Sequence, residues 1–269
     1  MILEIQQGLA QEGCRVSLVK LCRWFDLPSR TLYYRSIKTA PKVQEQLSAL
    51  IEEHPSFGYR TVAYLLRMNK NTVQRIFQLK GRQARKRAVG FRPRIQALPS
   101  AAKSPDERWA ADLCHVWAGR DGWASLALVI DCYSRELLEW HLSRSGKSKT
   151  AESALKQALI ARDGPLCKVK RPFFLRSDNG LVFPSRSYTA LVKSYGLQQE
   201  LITPYSPEQN SMVERVIRTL KDQCVHPHWF ETLLHASRVM AAWIGFCVHQ
   251  RPHQALGMKT PAEAYALAA

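Results

Sequence analysis

The sequence has no long hydrophobic run, no paired cysteine motif and few acidic residues. Its longest apolar stretch, Trp123 to Ile130, is too short to span a bilayer. Residues Met1–Gln6 lack the basic and apolar regions of a secretory signal, so we expect none. The seven cysteines are scattered and never form a C-x-x-C pair, which favours reduced thiols in a cytosol over a disulfide framework. We therefore expect a cytoplasmic protein that has no membrane segment.

The shortage of acidic residues is greatest in the first part of the chain. The 269 residues include 39 Lys and Arg but 22 Asp and Glu, which gives a formal charge of +17. Residues 1–105 hold 19 of those basic residues and 6 of the acidic ones. A protein this basic is expected to meet a polyanion, with nucleic acid ahead of an anionic membrane surface. The uneven charge predicts a binding region attached to a part with another task.

Two helical segments precede the middle of the chain. Residues 1–40 are predicted to form a helix-turn-helix, because helix-spaced apolar residues are followed by a break at Pro28 and a short basic, aromatic helix. Any small helical hairpin gives the same pattern, and the two interpretations have equal weight. Arg30 and Arg35 are the predicted DNA contacts of this segment. Residues 41–80 are predicted to form a second small helical DNA-binding region.

A basic run connects these helices to the rest of the chain. Residues 81–105 are predicted to form an extended basic linker, since proline interrupts a stretch rich in Lys and Arg. Each cation that meets a DNA phosphate releases counterions, so contact with DNA is favoured over a merely solvated segment. The predicted contacts are Arg85, Lys86 and Arg87.

The pattern of apolar and polar residues changes at residue 106. Three strand-like segments are followed by alternating helices and strands, which predicts an α/β fold with a mixed sheet flanked by helices. We assign residues 106–222 to this core and residues 223–269 to a C-terminal helix and tail.

Three acidic residues lie next to the predicted sheet. Asp112 lies within the first strand, Asp178 follows a later strand, and Glu214 lies on a helix that we expect to begin with a capping box at Ser206 and Gln209. An unpaired buried carboxylate is costly, and metal ions are one way to offset that cost. Three converging carboxylates would suit two Mg²⁺ ions, which prefer oxygen ligands and support phosphoryl transfer.

The helix that carries Glu214 has two interpretations. Glu214, Arg218 and Lys221 fall at i, i+4 and i+7, so a metal ligand and two phosphate-binding cations could share one face. An ordinary solvated ion pair between Glu214 and Arg218 gives the same spacing, and from this helix alone it is the favoured interpretation. Another carboxylate, Asp131, ends a strand, and we expect it to hydrogen-bond the following turn rather than act as a fourth catalytic acid.

The order of motifs along the chain resembles that of the OrfB-type transposases of bacterial insertion sequences, whose core is similar to retroviral integrases. The resembling segments are His54–Arg60, Trp109–Asp112, Leu128–Arg135, Arg176–Phe183, Ser206–Glu214, Arg218–Lys221, Arg251–Gly257 and Thr260–Glu263. Asp178 and Glu214 are separated by 35 residues, as this family typically shows. Each motif is weak alone, and together in this order they are specific.

The resemblance implies an RNase H-like fold in which Asp112, Asp178 and Glu214 are both catalytic residues and metal ligands. It implies two Mg²⁺ ions per site, with Mn²⁺ as a substitute, and cleavage at insertion-sequence ends followed by transfer of the 3′-hydroxyl into target DNA. It gives Lys221 as a DNA contact, and we add its neighbours Arg218 and Arg215.

The resemblance also implies partners. These are double-stranded DNA, in the form of terminal inverted repeats and target DNA, further copies of the chain, and an OrfA helix-turn-helix protein or a frameshift fusion with it. A bacterial, nucleoid-associated location follows. Two other classes of protein stay open: a non-catalytic repressor or degenerate transposase that binds the ends, and a simple RNase H-like nuclease.

Overall fold

The computed structural model describes residues 2–31, 45–82, 102–164, 169, 171–203 and 207–268. Its helices are α1 (Ile2–Gln11), α2 (Leu18–Trp24), α3 (Glu45–Glu53), α4 (Tyr59–Leu65), α5 (Lys70–Leu79), α6 (Ser148–Asp163), α7 (Arg186–Ser194), α8 (Ser211–Leu220), α9 (Leu233–His249) and α10 (Pro261–Ala266). Its strands are β1 (Arg108–Trp117), β2 (Trp123–Asp131), β3 (Leu137–Ser143), β4 (Phe174–Ser177) and β5 (Gln198–Leu201). In this part of the chain, no helix is long and apolar enough to cross a membrane.

The five strands form one mixed sheet in the order β3-β2-β1-β4-β5. Strands β1, β2 and β3 are antiparallel neighbours, whereas β4 and β5 run parallel to β1. The three antiparallel strands agree with the sequence, which predicted a hairpin and a third strand in this region. The α/β fold with a mixed sheet is therefore confirmed.

Helices cover both faces of the sheet. On one face, α6 and α7 bury apolar residues against alternate positions of β1 and β2, such as Trp109 and Val129. On the other face, α8 and α9 pack against the intervening positions, such as Ala110 and Leu128. Because β2 is buried on both faces, its sequence is an almost unbroken apolar run rather than an alternating one.

The chain divides into two compact units, residues 1–45 and residues 46–269. In the first, α1 and α2 pack through a small cluster that includes Ile2 and Leu21. Helices α3, α4 and α5 belong to the second unit, where the His54 and Phe57 rings stack on Phe246 of α9. The domain boundaries given by the sequence stay a prediction.

The capping box predicted at the start of α8 involves Ser206, which lies outside the described residues, so it stays a prediction. The helical segment begins at Pro207 as a 3₁₀ turn, Pro207–Asn210, and α8 itself begins at Ser211. The Gln209 side chain is engaged elsewhere, because it accepts from the Thr203 backbone N–H at 2.8 Å and donates to the Thr203 hydroxyl at 3.0 Å.

Candidate active site

The pairing of β1 with β4 brings the segments of two predicted acids next to each other. These strands run parallel, and their pairing ends at Ala110 and Arg176. Asp112 lies two residues further along β1, on the face of the sheet that α8 covers. Asp178 follows β4, which ends at Ser177. Asp112 therefore lines the cleft beside α8, whereas Asp178 lines a separate cavity with Leu113 and Phe183.

The third acid lies on α8 itself. Val213, Ile217 and Leu220 bury one side of this helix against the sheet. Because of this packing, Glu214 lies on the adjoining side of α8. There it lines a cleft of about 500 Å³ together with Asp112 and Ile217. At its C-terminal end, α8 continues into a π-helical turn at Lys221–Val225. The cleft therefore combines side chains from β1, α8 and the turn that follows α8.

The carboxylates act on one another electrostatically. Burial raises the pKa of Asp112 to about 7, with the Leu113 backbone N–H opposing this shift and the charges of Asp178 and Glu214 adding to it. The nearby ammonium group of Lys221 acts in the opposite direction. Asp112 thus lies near two other negative charges, and a bound cation would reduce the repulsion between them.

Backbone N–H groups orient both aspartates. The Leu113 N–H donates to Asp112 Oδ1 at 2.7 Å, and the Gly180 N–H donates to Asp178 Oδ1 at 3.0 Å. A Cβ at position 180 would lie 3.1 Å from Asp178 Oδ1, so a glycine there leaves room for the carboxylate. Each carboxylate is held by one backbone contact, which fixes its direction.

The donor types fit Mg²⁺, since all three side chains offer carboxylate oxygens. Within the described ranges, however, no three His, Cys, Asp or Glu side chains lie close enough together to hold a metal ion. Asp112 and Glu214 line one cleft and Asp178 lines a separate cavity, so the three side chains would have to draw together around an ion. Their assignment as ligands and catalytic residues therefore stays a prediction.

The basic residues predicted on α8 separate into two groups. Arg218 and Lys221 line the cleft with Asp112 and Glu214. Arg215 lies on another side of α8 and lines a different cavity. Among the predicted contacts nearer the N-terminus, Arg30 is exposed in a 3₁₀ turn at Ser29–Thr31 of the first unit. The others lie outside the described residues: Arg35, Arg85, Lys86 and Arg87.

The structure shows a buried residue that the sequence analysis did not assign to the site. Arg176, on β4 two residues before Asp178, is 2% exposed and donates from Nε to Glu200 Oε2 at 2.8 Å. Its Nη1 donates to the Gln209 carbonyl oxygen at 2.7 Å, in the turn that leads into α8. Arg176 thus links the strand before Asp178 to the helix of Glu214. The sequence contained one signal for this role, an arginine within an otherwise apolar strand.

Asp131 has the structural role that the sequence predicted. Its Oδ2 accepts from the Ser134 backbone N–H at 2.8 Å and from the Ser134 hydroxyl at 2.6 Å, closing the turn between β2 and β3. Asp131 does not line the cleft of Asp112 and Glu214. The prediction of a turn-stabilising carboxylate is confirmed.

Comparison with known families agrees with this geometry. Residues 102–207 match a family model described as "Integrase core domain", and residues 195–261 match a second model with the same description. The two matches together span the whole sheet, α8 and α9. They include the positions of Asp112, Asp178 and Glu214.

Two relatives illustrate the similarity. The chain is 28% identical over 257 residues to the uncharacterized 39.2 kDa protein of insertion element IS476 from Xanthomonas euvesicatoria, covering 91% of this chain and 71% of that protein. It is 29% identical over 203 residues to transposase InsF of insertion sequence IS3A from Escherichia coli, covering 71% of this chain and 63% of InsF. Residues 102–261 of the chain therefore match integrase core domains, and the chain is similar to proteins of insertion sequences, a transposase among them.

The fold itself is found in a retroviral assembly. A structure of the simian T-cell lymphotropic virus intasome in complex with the PP2A regulatory subunit B56 gamma matches with a TM-score of 0.51 and 18% identity. The match covers 81% of this chain and 74% of that one. The mixed sheet with helices on both faces is therefore the RNase H-like fold of integrases.

Proposed function

We propose that this protein is a transposase that cleaves DNA at the ends of an insertion sequence and transfers the freed 3′-hydroxyl into target DNA, in a reaction that depends on Mg²⁺. The observation that carries the proposal is the cleft that Asp112 of β1 and Glu214 of α8 line together, with the charge of Asp178 acting on Asp112. Arg218 and Lys221 line the same cleft and add two cations beside these carboxylates.

Each residue has a task in this proposal. Asp112, Asp178 and Glu214 would hold the metal ions through their carboxylate oxygens. When bound, Mg²⁺ supplies activation of the attacking water or 3′-hydroxyl and stabilises the leaving oxygen. Lys221 and Arg218 bind the phosphates that flank the scissile one and so hold the strand across the cleft.

The remaining parts of the chain would select and hold the DNA. We assign the helical segments before residue 81 and the basic linker at 81–105 to binding of the terminal inverted repeats. Two ends must be brought together for transposition, so we include self-association on DNA. An OrfA protein, or a frameshift fusion with it, is the additional partner.

The direct test uses the DNA that flanks the gene as substrate. Purified protein and Mg²⁺ are incubated with these ends, and nicks and joined products are mapped at nucleotide resolution. The wild type is expected to cut and join specifically, whereas Glu214→Gln should bind DNA but lower the rate by at least about 10³-fold, since it removes a metal ligand. Asp222→Asn is the matched control, because Asp222 is an exposed carboxylate in the wall of the same cleft.

Equal activity in Glu214→Gln and wild type would overturn the assignment of Glu214. Tight binding without product from the wild type, even when it is fused to OrfA, would show a repressor. Cutting without joining would show a nuclease. Each result separates one of the classes of protein that the sequence left open.

A further inference from the structure

A second cavity lies on the other side of α8 from the carboxylate cleft. Its volume is about 540 Å³, and arginines from three separate segments line it: Arg135 after β2, Arg215 on α8 and Arg251 after α9. Phe57 and Trp243 contribute aromatic surface to its walls. We call it the arginine cavity. It is large enough to receive a phosphate group together with part of the molecule that carries it.

The positive charge in the arginine cavity is not balanced. No Asp or Glu is among its described lining residues, and none of the three arginines forms an ion pair within the part of the chain that the structure describes. Arg251 donates to a neutral acceptor, Gln223 Oε1, at 2.6 Å. Like charges confined in a half-enclosed space repel one another, so this arrangement is costly without an anion.

Nearby carboxylates are occupied by other partners. Glu136, next to Arg135 in the chain, accepts from Arg162 at 2.8 Å. Asp131 Oδ2 accepts from the turn that contains Ser134, and Asp131 does not line the arginine cavity. The same repulsion acts on Arg135, because burial and the charge of Arg215 both lower the pKa of its guanidinium group.

A histidine adds a polar group without a partner. His253 lines the same cavity, and its Nε2 is buried and has no hydrogen-bond partner within the described structure. This ring nitrogen of His253 can donate a hydrogen bond to an anion that enters the cavity. The cavity therefore offers one histidine and three guanidinium groups to a single ligand.

The segments that form the arginine cavity come from distant parts of the sequence. They include Phe57 and Gly58, the turn at Arg135, the start of α8, and Arg251 to Ala255. These positions fall in four of the segments on which the sequence resemblance rested, and one of the four also carries Glu214 of the carboxylate cleft.

We propose that the arginine cavity binds a phosphate group, and that its source is the backbone of the DNA held by this transposase. The proposal rests on the proposed function only for the identity of the polyanion. Helix α8 with its side chains is about 10–12 Å wide, which corresponds to about three base-pair steps of 3.4 Å. One DNA molecule can therefore contact Lys221 in the cleft and Arg215 in the cavity.

The test measures duplex binding without Mg²⁺, so that it does not depend on catalysis. The full-length double variant Arg135→Gln/Arg215→Gln is compared with Lys156→Gln/Lys193→Gln, which removes the same charge from exposed positions of α6 and α7 on the opposite face of the sheet. Affinity for a duplex of the gene's flanking DNA is recorded from 50 to 300 mM salt, a range on the order of that in which counterion release is resolved.

We expect the cavity variant to lose about 10- to 100-fold in affinity at 0.1 M salt, and to reduce the slope of log Kobs against log salt by about 2 relative to the control variant. Its melting temperature should equal or exceed that of the wild type, since the substitution removes repelling charges. Equal affinity and slope in the two variants would overturn the proposal.

Free phosphate distinguishes the source of the ligand. Inorganic phosphate and deoxyadenosine monophosphate are titrated against the melting temperature of the wild type and of the cavity variant. Stabilisation of the wild type alone, with unchanged duplex affinity, would overturn DNA as the source and show a small phosphate ligand. A change in oligomeric state without a change in affinity would show an interface between copies. Because duplex binding is read without cleavage, failure of the proposed catalysis leaves this result interpretable.

Discussion

Asp112 lies in β1, and Asp178 directly follows β4, the strand that pairs in parallel with β1 up to Ala110 and Arg176. The residues are 66 positions apart in the sequence. The strand pairing therefore brings their segments together where sequence proximity does not. The pKa of Asp112, raised mainly by burial and further by Asp178 and Glu214, records the electrostatic cost of this arrangement.

The first prediction follows from this repulsion. In metal-free buffer at pH 8, Asp112→Asn should raise the melting temperature by about 2–4 °C, because it removes a buried negative charge next to two others. Millimolar Mg²⁺ should stabilise the wild type and leave Asp112→Asn unaffected, since a ligand that binds the native state shifts unfolding by mass action. Differential scanning calorimetry with and without Mg²⁺ measures both effects.

The exposed carboxylate Asp222 supplies the control for this experiment. Asp222→Asn should behave as the wild type in both buffers, because it removes a charge from the rim of the cleft and not from its base. If Asp112→Asn is stabilised by Mg²⁺ as much as the wild type, Asp112 does not hold the ion.

The second prediction concerns the buried Arg176. Arg176→Met should reduce the free energy of unfolding by about 2–4 kcal/mol, because it leaves the Gln209 carbonyl and part of the Glu200 carboxylate without their donor. Arg108→Met is the matched control, since Arg108 also donates to Glu200 Oε2 but does not reach the turn before α8. Urea unfolding of both variants measures the difference, and equal losses would contradict a special role for Arg176.

The sequence predicted the elements of this fold better than their connections. Strand β2 (Trp123–Asp131) contains the longest apolar stretch of the sequence, Trp123 to Ile130, because a strand buried on both faces is an almost continuous apolar run. The capping box at Ser206 and Gln209 stays a prediction, but the Gln209 side chain has a partner that the local pattern did not show, Thr203, six residues earlier. This contact depends on how the chain folds back before α8, which the spacing of residues within the helix does not contain.

For the candidate site, likewise, the sequence predicted the residues better than their arrangement in space. Asp112, Asp178 and Glu214 could be selected because each carboxylate lies next to the sheet. The parallel pairing of β1 with β4, which brings the segments of the first two together, cannot be derived from either segment alone. Helical geometry did contain one signal that was overlooked: Arg215 and Lys221 are six residues apart, which is about 240° around a helix at 3.6 residues per turn. They therefore line different cavities.

The third prediction tests Lys221 as a DNA contact. Lys221→Gln should weaken duplex binding about 10-fold at 0.1 M salt and lower the slope of log Kobs against log salt by about 0.9, the value for one phosphate contact. Lys221→Arg should retain most of the affinity because it keeps the charge. Fluorescence anisotropy across a salt series measures the slope, with Lys156→Gln on the opposite face of the sheet as the control. The same slope in Lys221→Gln and the control would remove Lys221 from the interface.

The fourth prediction is a loss of stability in acid. Burial, with the charges of Arg251 and Arg135, lowers the pKa of His253 from its usual 6.5 to about 4. Below pH 6.5, His253 becomes protonated in the unfolded chain but stays neutral in the folded chain. The stability that His253 contributes above this pH is therefore lost as the pH falls towards 4.

The size of this loss is set by the difference between the two pKa values. Each unit corresponds to about 1.4 kcal/mol, so the folded state should lose about 2–3 kcal/mol between pH 6.5 and 4 through this residue. His253→Gln cannot titrate, and its free energy of unfolding should fall less steeply over that range by the same amount. Urea unfolding at half-unit pH intervals measures both curves, with His249→Gln at an exposed position as the control. Parallel curves for wild type and His253→Gln would show that the ring accepts its proton equally well in the folded and unfolded chain.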